Sequence, residues 1–235
     1  MDRERNVAFP CDCVKRRRVE RVLKHSHIGE EFRKKTFDTF AAKGKDRRIQ
    51  RAYQIAKGYA EHFDRVRKSE RNGLGIVGAV GTGKTHLLCA VANYLLSQGI
   101  QVRYFNFVTG FKEMFAKYDE GGKAVEDIRW ELQTCDVLML DDLAKGKIDR
   151  KVGGIDIKKT VFDEVYGIVD YRYFNGLPII WSSELYAQLA EDNVLGEATA
   201  TRLFERSHIV NMTYAKGEPV GSLNYRLRDF GGEMQ

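Results

Sequence analysis

Short apolar runs alternate along the chain with segments whose apolar residues recur at helical spacing or follow a capping residue. The runs predict strands at 74–77, 102–107, 137–140, 178–181 and 209–212. The segments between and before them predict helices at 46–63, 84–97, 109–118, 125–132, 155–174 and 198–206. Because strands that alternate with helices pair in parallel through crossovers, the pattern predicts an α/β fold, a three-layer αβα sandwich with a parallel five-stranded sheet. Ligands of such sheets bind at the carboxyl ends of the strands.

Composition excludes several classes of protein. A chain of 235 residues, 43% of them hydrophobic, suits one large domain, and its apolar runs are too short to span a bilayer. Its four cysteines give no disulfide framework and no apolar run follows the charged N-terminus, so we expect a reduced, cytoplasmic protein without a membrane partner. The net charge of +6 permits an acidic partner such as nucleic acid, although a solvated basic surface explains it equally well.

The distribution of charge divides the chain into two regions. Residues 1–30 are polar and basic, with four consecutive cations at 15–18, and are predicted to be a tail or the remnant of a second module. Residues 31–235 contain all the predicted strands and are expected to form the α/β domain.

A glycine-rich segment follows the first predicted strand and matches the G-x-x-x-x-G-K-[ST] pattern over residues 78–85. Glycines at this spacing let the backbone approach phosphates, and the following helix begins with a partial positive charge. Lys84 is expected to reach the β- and γ-phosphates of ATP, and Thr85 to give its hydroxyl to Mg²⁺. A glycine-rich turn without a ligand is the alternative, but the flanking strand and helix favour nucleotide binding. The predicted ATP contacts are Gly78, Gly81, Thr82, Gly83, Lys84, Thr85 and His86.

Two carboxylates, Asp141 and Asp142, end the apolar strand predicted at 137–140. Acidic groups in this position face the ligand crevice, where a cation offsets their desolvation. We therefore expect Asp141 to hold Mg²⁺ and Asp142 to orient or deprotonate the attacking water. Ser182 and Ser183 end the next strand and are candidates for contact with the γ-phosphate or the water, although either serine equally suits a helix cap.

Three arginines are candidates for stabilising a transition state in which charge spreads over the γ-phosphate oxygens. Arg202 and Arg206 lie in the last predicted helix, and Arg226 lies near the end of the sequence. All three also suit a solvated surface, and the residue pattern by itself does not choose among them.

Three segments together resemble a known family. The loop at 78–87, the strand end Leu-Asp-Asp-Leu at 140–143 and the segment Gly-Ser-Leu-Asn-Tyr-Arg at 221–226 are similar to AAA+ loaders of the bacterial replicative helicase, the DnaC/DnaI type. The resemblance implies a P-loop NTPase of the AAA+ class that lacks a full separate C-terminal lid domain. It also implies Mg²⁺-dependent ATP hydrolysis, ATP-dependent self-association, and binding to a replicative helicase hexamer and to single-stranded DNA.

The resemblance also assigns roles to individual residues. Arg202 corresponds to the arginine finger that reaches the ATP of the adjacent subunit, and Arg226 corresponds to the second sensor that acts on the subunit's own ATP. Residues 36–40 correspond to a segment near the adenine. Glu184 stands where the family usually has asparagine, which leaves the first-sensor position unassigned.

The N-terminal segment departs from the family pattern as well. Loaders often carry a zinc-binding module there, but this segment has only Cys11 and Cys13, and two thiolates do not complete a tetrahedral site. His25 and His27 are alternative further ligands. We expect instead a short, metal-free helicase-binding element.

Three other functions stay open or are disfavoured. A transposition accessory ATPase of the IstB type shares the domain but binds duplex DNA and a transposase. A small-molecule P-loop kinase would need a substrate pocket and lid arginines, and no residue from a neighbour. An origin initiator of the DnaA type is disfavoured because no helix-turn-helix pattern follows residue 226.

Overall fold

A computed structural model shows five parallel strands in one sheet, with helices on both faces. It describes residues 12–42, 46–117, 122–145, 151–152, 155–191, 194–219 and 223–224. The strands are β1 (Gly73–Gly78), β2 (Val102–Asn106), β3 (Val137–Asp141), β4 (Lys151–Val152), β5 (Ile155–Asp156), β6 (Ile179–Ser183) and β7 (Ser207–Met212). The helices are α1 (Asp12–His25), α2 (Glu30–Arg33), α3 (Arg47–Glu61), α4 (Phe63–Val66), α5 (Lys84–Ser97), α6 (Phe107–Ala116), α7 (Gly122–Thr134), α8 (Ile157–Phe174) and α9 (Glu197–Arg206).

The sheet has the strand order β2-β3-β6-β1-β7, and all of its neighbours are parallel. Strands β1, β3 and β6 are buried at every position because helices cover both faces. Their carboxyl ends meet at one edge, where the loops after β1, β3 and β6 come together. The predicted fold class and the five main strands are therefore confirmed.

Two clusters of buried side chains lie on opposite faces of the sheet. The first packs α3 and α5 against the sheet, and residues of α1 join it. The second packs α6, α7, α8 and α9 against the other face. This arrangement is the predicted three-layer sandwich.

Three predicted helix starts are wrong. Helix α7 begins at Gly122, three residues before the predicted start at 125. Helix α6 begins at Phe107, because the Asn106 side chain accepts hydrogen bonds from the N–H groups of Val108 and Thr109 and caps the helix there. Thr109, where the predicted helix begins, lies inside the first turn. The helix predicted from Ile155 begins two residues later, because Ile155–Asp156 pairs as an antiparallel strand with Lys151–Val152.

The described part of the N-terminal segment packs on the domain. Helix α1 lies against α5 and β2, and Val22 and Ile28 are buried in the first cluster. The Arg18 side chain donates to the Gly99 carbonyl, and the Ser26 carbonyl accepts a hydrogen bond from the N–H of Tyr104 on the edge strand β2. Residues 12–28 thus cover an otherwise open sheet edge, and packing is continuous across the predicted boundary at residue 30.

After β7, the described residues 213–219 and 223–224 form no separate helical domain. Arg48 ties this stretch to α3, since its guanidinium donates to the Thr213 carbonyl and pairs with the Glu218 carboxylate at 2.7 Å. Over the described ranges, no helix has both the length and the apolar character needed to cross a membrane.

Candidate nucleotide-binding site

The loop after β1 joins the strand to the N-terminus of α5. Gly78, Gly81 and Gly83 have φ angles of 154°, 79° and 93°, which side-chain-bearing residues rarely adopt. A Cβ at Gly81 would collide with the side chain of Asn224, and one at Gly83 would lie 2.8 Å from the Phe40 ring. The loop therefore needs glycine both for its backbone conformation and for the close approach of these two side chains.

Lys84 lies on the first turn of α5 and is almost fully buried. Its ammonium group donates to the carbonyls of Gly78 and Ala79, both at 2.9 Å, and lies 3.8 Å from a Glu184 carboxylate oxygen. Burial lowers the pKa of Lys84, and the nearby carboxylates of Glu184 and Asp142 offset part of that change. The ammonium group thus lies at the glycine-rich loop, and its contact with the β- and γ-phosphates stays a prediction.

Asp141 ends β3, and the residue is only 2% exposed. The hydroxyls of Ser182 and Thr85 donate to its Oδ1 atom at 2.7 and 3.0 Å, and the Tyr104 hydroxyl lies 3.5 Å from Oδ2. Burial raises the pKa of Asp141, while the two hydroxyl donors act in the opposite direction. A carboxylate and a hydroxyl this close together are hard oxygen donors of the kind that Mg²⁺ prefers, so the donor set fits this ion.

Asp142 has the left-handed backbone conformation, with φ at 56°. Its N–H donates to the Ser182 hydroxyl at 3.0 Å, and its carboxylate pairs with the Lys145 ammonium at 3.2 Å. The structure brings Asp142 into the same cavity as Lys84 and Asp141. The side chains predicted for ATP, Mg²⁺ and water therefore converge at one edge of the sheet; they are Lys84, Thr85, Asp141 and Asp142.

The two serines at the end of β6 do not line this cavity. Ser182 is fully buried beneath Asp141, and Ser183 donates to the Leu143 carbonyl while accepting from the Leu185 N–H. Both hydroxyls are therefore engaged by protein groups, and their contact with the γ-phosphate or the water stays a prediction. The cavity wall is formed instead by Glu184, the next residue along the chain.

The other wall of the cavity is made by the segment before α3. The Phe40 ring lies 5.1 Å from the His86 ring, edge to face, and also lines the cavity. The Nε2 atom of His86 lies 3.1 Å from the Thr36 carbonyl and 3.2 Å from the Thr39 hydroxyl, and burial lowers the pKa of this histidine. The cavity of about 320 Å³ thus has a polar phosphate end and an aromatic end suited to a nucleotide base.

Sequence reasoning missed two cations in this cavity, Lys35 and Lys145. Lys145 lines it and contacts both Asp142 and Glu184. Burial lowers the pKa of Lys145, but the two carboxylates outweigh burial and raise it, so this residue stays positively charged. Its position three residues after Asp142 is the only sequence signal, and lysines at such spacing are common on surfaces.

The predicted arginines lie elsewhere. Arg202 on α9 does not line the cavity; its guanidinium pairs with Asp170 at 3.0 Å and lies 5.5 Å from the centre of the Tyr166 ring. Arg206, one turn later, donates to the Glu70 and Tyr173 carbonyls. Arg226 lies outside the described residues.

The two cysteines weighed as zinc ligands have no described side chains. Cys11 lies outside the described residues, and only the backbone of Cys13 is described. Among the residues whose side chains are described, no group of three or more His, Cys, Asp or Glu side chains is arranged to hold a metal ion. Cys89 and Cys135 are buried free thiols, as predicted.

Comparisons with known proteins agree with this geometry. A model of the family described as IstB-like ATP binding protein matches residues 13–223. The chain is 31% identical over 223 residues to the uncharacterized protein YqaM of Bacillus subtilis (strain 168). The matched region covers 94% of this chain and 67% of YqaM.

Solved structures share the fold. The DnaC helicase loader superposes with a TM-score of 0.62 at 23% identity, covering 78% of this chain and 99% of that one. DnaI superposes with a TM-score of 0.63 at 22% identity, covering 80% of this chain and 95% of that one. The α/β fold is therefore that of AAA+ P-loop domains, and the predicted likeness to DnaC, DnaI and IstB-like proteins is confirmed.

Proposed function

Since the chain belongs to the IstB-like ATP-binding family, we propose that it is a Mg²⁺-dependent ATPase that loads a replicative helicase onto single-stranded DNA. One observation carries the assembly part of this proposal. The described residues that line the cavity include the phosphate loop and two strand-end carboxylates, but no arginine. A guanidinium for the transition state must then come from outside that set, and a neighbouring copy supplies it in assembling ATPases.

Each group in the cavity has a separate task in this proposal. Lys84 binds the β- and γ-phosphates, and the N–H groups at the start of α5 donate hydrogen bonds to the phosphate oxygens. Thr85 and Asp141 hold Mg²⁺, which supplies neutralisation of charge on the phosphate oxygens. Asp142, oriented by its ion pair with Lys145, accepts the proton of the attacking water.

The exposed apolar side chains support head-to-tail assembly. Val80 lies in the phosphate loop, and Val108 follows the cavity residue Asn106. Tyr166 and Phe174, the latter 72% exposed, instead lie against the guanidinium of Arg202. Exposed apolar side chains near the cavity and others against the arginine suit a heterologous interface in which one copy's arginine meets the next copy's ATP.

The choice of a helicase rests on the loaders as structural neighbours, and a second candidate rests on the family itself. DnaC is described as a helicase loader. The matching family model is IstB-like, which supports a transposition accessory ATPase as the alternative. The two functions share the ATP site and differ in the partner protein and in the form of DNA bound.

A capture experiment separates them. The immobilised protein is incubated with the replicative helicase of the same organism and with single- or double-stranded DNA, in the presence of ATP, ADP or no nucleotide. We expect ATP-dependent retention of the helicase and of single strands, with DNA binding that weakens steeply as salt rises. The Lys84→Ala variant is the control, since it should lose both ATP binding and ATP-dependent capture while staying folded. Retention of duplex DNA without helicase would favour the transposition function and contradict the loader.

A further inference from the structure

A network of charged side chains crosses the phosphate end of the cavity. One carboxylate oxygen of Glu184 lies 3.3 Å from the Lys145 ammonium and 3.8 Å from that of Lys84. Lys145 also pairs with Asp142 at 3.2 Å. Glu184 thus bridges the lysine of the phosphate loop and the lysine that follows the acidic pair, and its side chain is only 23% exposed.

A carboxylate in this place is unfavourable for binding an anion. Glu184 is a cavity residue next to Lys84, the group that we expect to bind the β- and γ-phosphates. A phosphate bound at Lys84 would be repelled by the Glu184 carboxylate, and the repulsion is stronger in a partly buried site than in bulk water. The carboxylate is therefore tolerable only if a cation compensates it, and Lys145 is positioned to do so.

The backbone holds Lys145 in this position. Asp142 and Ala144 both have the left-handed conformation, with φ at 56° and 60°. The turn between them is fixed, because the Leu143 N–H donates to the Ser182 carbonyl at 2.7 Å and the Lys145 N–H donates to the Asp142 carbonyl at 2.9 Å. A strained turn that is clamped in this way directs a lysine into the cavity.

We propose that Glu184 and Lys145 form a γ-phosphate sensor that distinguishes ATP from ADP. Without a triphosphate, the Glu184 carboxylate serves as the anion for Lys84 and Lys145. The γ-phosphate of ATP takes over both lysines and releases Glu184, whereas ADP lacks the group that competes for Lys145. This inference rests on the proposed binding of ATP at this site, and it adds the residues that read the third phosphate.

The test is equilibrium binding of the non-hydrolysable triphosphate AMPPCP and of ADP, each with Mg²⁺, to the full chain at low protein concentration. In Lys145→Met the affinity for AMPPCP should fall about tenfold and that for ADP less than about twofold, as expected for loss of one partly buried charge contact. In Glu184→Gln the affinity for AMPPCP should rise about three- to tenfold, because a competing anion is removed. The double variant should bind AMPPCP more tightly than Lys145→Met, because the uncompensated carboxylate beside Lys84 is gone, and less tightly than Glu184→Gln, because Lys145 is missing.

Lys57→Met is the matched control. Lys57 has the same exposed fraction as Lys145, 43%, and pairs with Glu61 on the surface of α3, so its replacement removes one charge without touching the cavity. It should leave the ratio of the two affinities unchanged.

The outcomes separate this inference from the proposed function. No nucleotide binding by the unaltered protein would overturn both. If the unaltered protein binds nucleotide and Lys145→Met loses affinity for AMPPCP and ADP equally, the proposed ATP site would stand and the sensor proposal would be overturned. If Lys145→Met does not fold, the isosteric Glu184→Gln decides, since weaker AMPPCP binding in that variant is the opposite of what competition requires.

Discussion

Replacing Arg202 with alanine separates the contacts that this residue makes within its own subunit from the catalytic role that we propose for it in a neighbour. In its own subunit the guanidinium pairs with Asp170 at 3.0 Å. It also lies 5.5, 5.6 and 6.0 Å from the ring centres of Tyr166, Tyr173 and Phe174. None of these partners lines the nucleotide cavity.

The structural cost follows from these contacts. Cation–π contacts at exposed sites contribute about 0.5–1 kcal/mol each, and exposed ion pairs contribute about 0.2–1 kcal/mol. Because all of them share one guanidinium, their contributions do not add fully, and we expect Arg202→Ala to lose about 1–2 kcal/mol. For a domain of this size, that loss lowers Tm by about 2–8 °C.

The catalytic cost should be much larger and should appear only in the assembly. Loss of an arginine that acts on the transferring phosphoryl group slows turnover by about 10³- to 10⁵-fold. Nucleotide affinity of the isolated Arg202→Ala subunit should change less than about twofold, because the target of Arg202 lies across the interface.

Arg206→Ala is the matched control for Arg202→Ala. Arg206 lies one turn later on α9, donates to the carbonyls of Glu70 and Tyr173, and lies 4.8 Å from the centre of the Tyr173 ring. Its loss should destabilise the subunit to a similar extent while turnover per folded subunit is retained.

The assay is steady-state ATP hydrolysis over a range of protein concentrations, with thermal unfolding of each variant measured in parallel. Mixing Arg202→Ala with Lys84→Ala should restore part of the activity, since some mixed interfaces then contain a complete site. Normal turnover of Arg202→Ala at every concentration would refute the assignment. If Arg202→Ala and Arg206→Ala lost turnover equally, lower stability rather than a catalytic role of Arg202 would explain the loss.

Two further predictions concern the supports of the site. Ser182→Ala should cost about 2–3 kcal/mol in urea unfolding, because it removes a charge-assisted donor to Asp141 and leaves the Asp142 N–H without its acceptor; a loss below about 0.5 kcal/mol would contradict this account. Asp46 caps α3, and hydrogen bonds from Arg48 hold the pKa of its carboxyl below the usual 3.8. Because the pKa of Asp46 is lower in the folded protein than in the unfolded chain, the ionised carboxylate stabilises the fold at pH values above the unfolded-state pKa. Asp46→Ala should therefore lower the free energy of unfolding by about 1 kcal/mol at pH 7. The difference between the two proteins should vanish as the pH falls through the folded-state pKa. A difference that stayed constant from pH 7 to about pH 2 would exclude the ionised cap.

The strand, loop and helix around the phosphate-binding motif are the most predictable part of the molecule. The helix predicted at 84–97 has the same bounds in the structure, and the strand predicted at 137–140 extends by one residue, to Asp141. Both predictions rest on local signals. A glycine pattern with a fixed geometry marks the loop, and a wholly apolar run marks a strand that is buried on both faces.

Predictions fail where a local signal has two interpretations. Phe107 continues the apolar pattern of β2, but Asn106 before it ends the strand and caps α6. Phe107 is buried in α6, and an apolar residue here would also suit a buried strand, so the periodicity does not decide between the two conformations. The cap is a side-chain contact within three residues, and Thr109 nearby is also of a residue type that caps helices.

The sequence also does not show which of the neighbouring residues Ser182 and Ser183 contacts which partner. Parallel pairing sets Leu140 beside Trp181, which brings Asp141 next to Ser182. Successive side chains of a strand point to opposite faces, so Ser182 supports the carboxylate while Ser183 bonds to the loop after β3. Only the register between two strands that are far apart in sequence assigns these roles.

The turn from Asp142 to Lys145 shows why local propensity and function diverge at this site. Two left-handed residues that are not glycine would be unfavourable in an isolated peptide, and sequence rules would place glycine there. The turn persists because Leu143 between them is fully buried and bonded at both ends, its N–H to the Ser182 carbonyl and its carbonyl to the Ser183 hydroxyl. Strand β6 therefore stabilises a conformation that the turn would not adopt by itself. As a result, the acidic Asp142 and the basic Lys145, three residues apart, face the same cavity. A phosphate there needs a cation beside it, and an attacking water needs a carboxylate that can accept its proton.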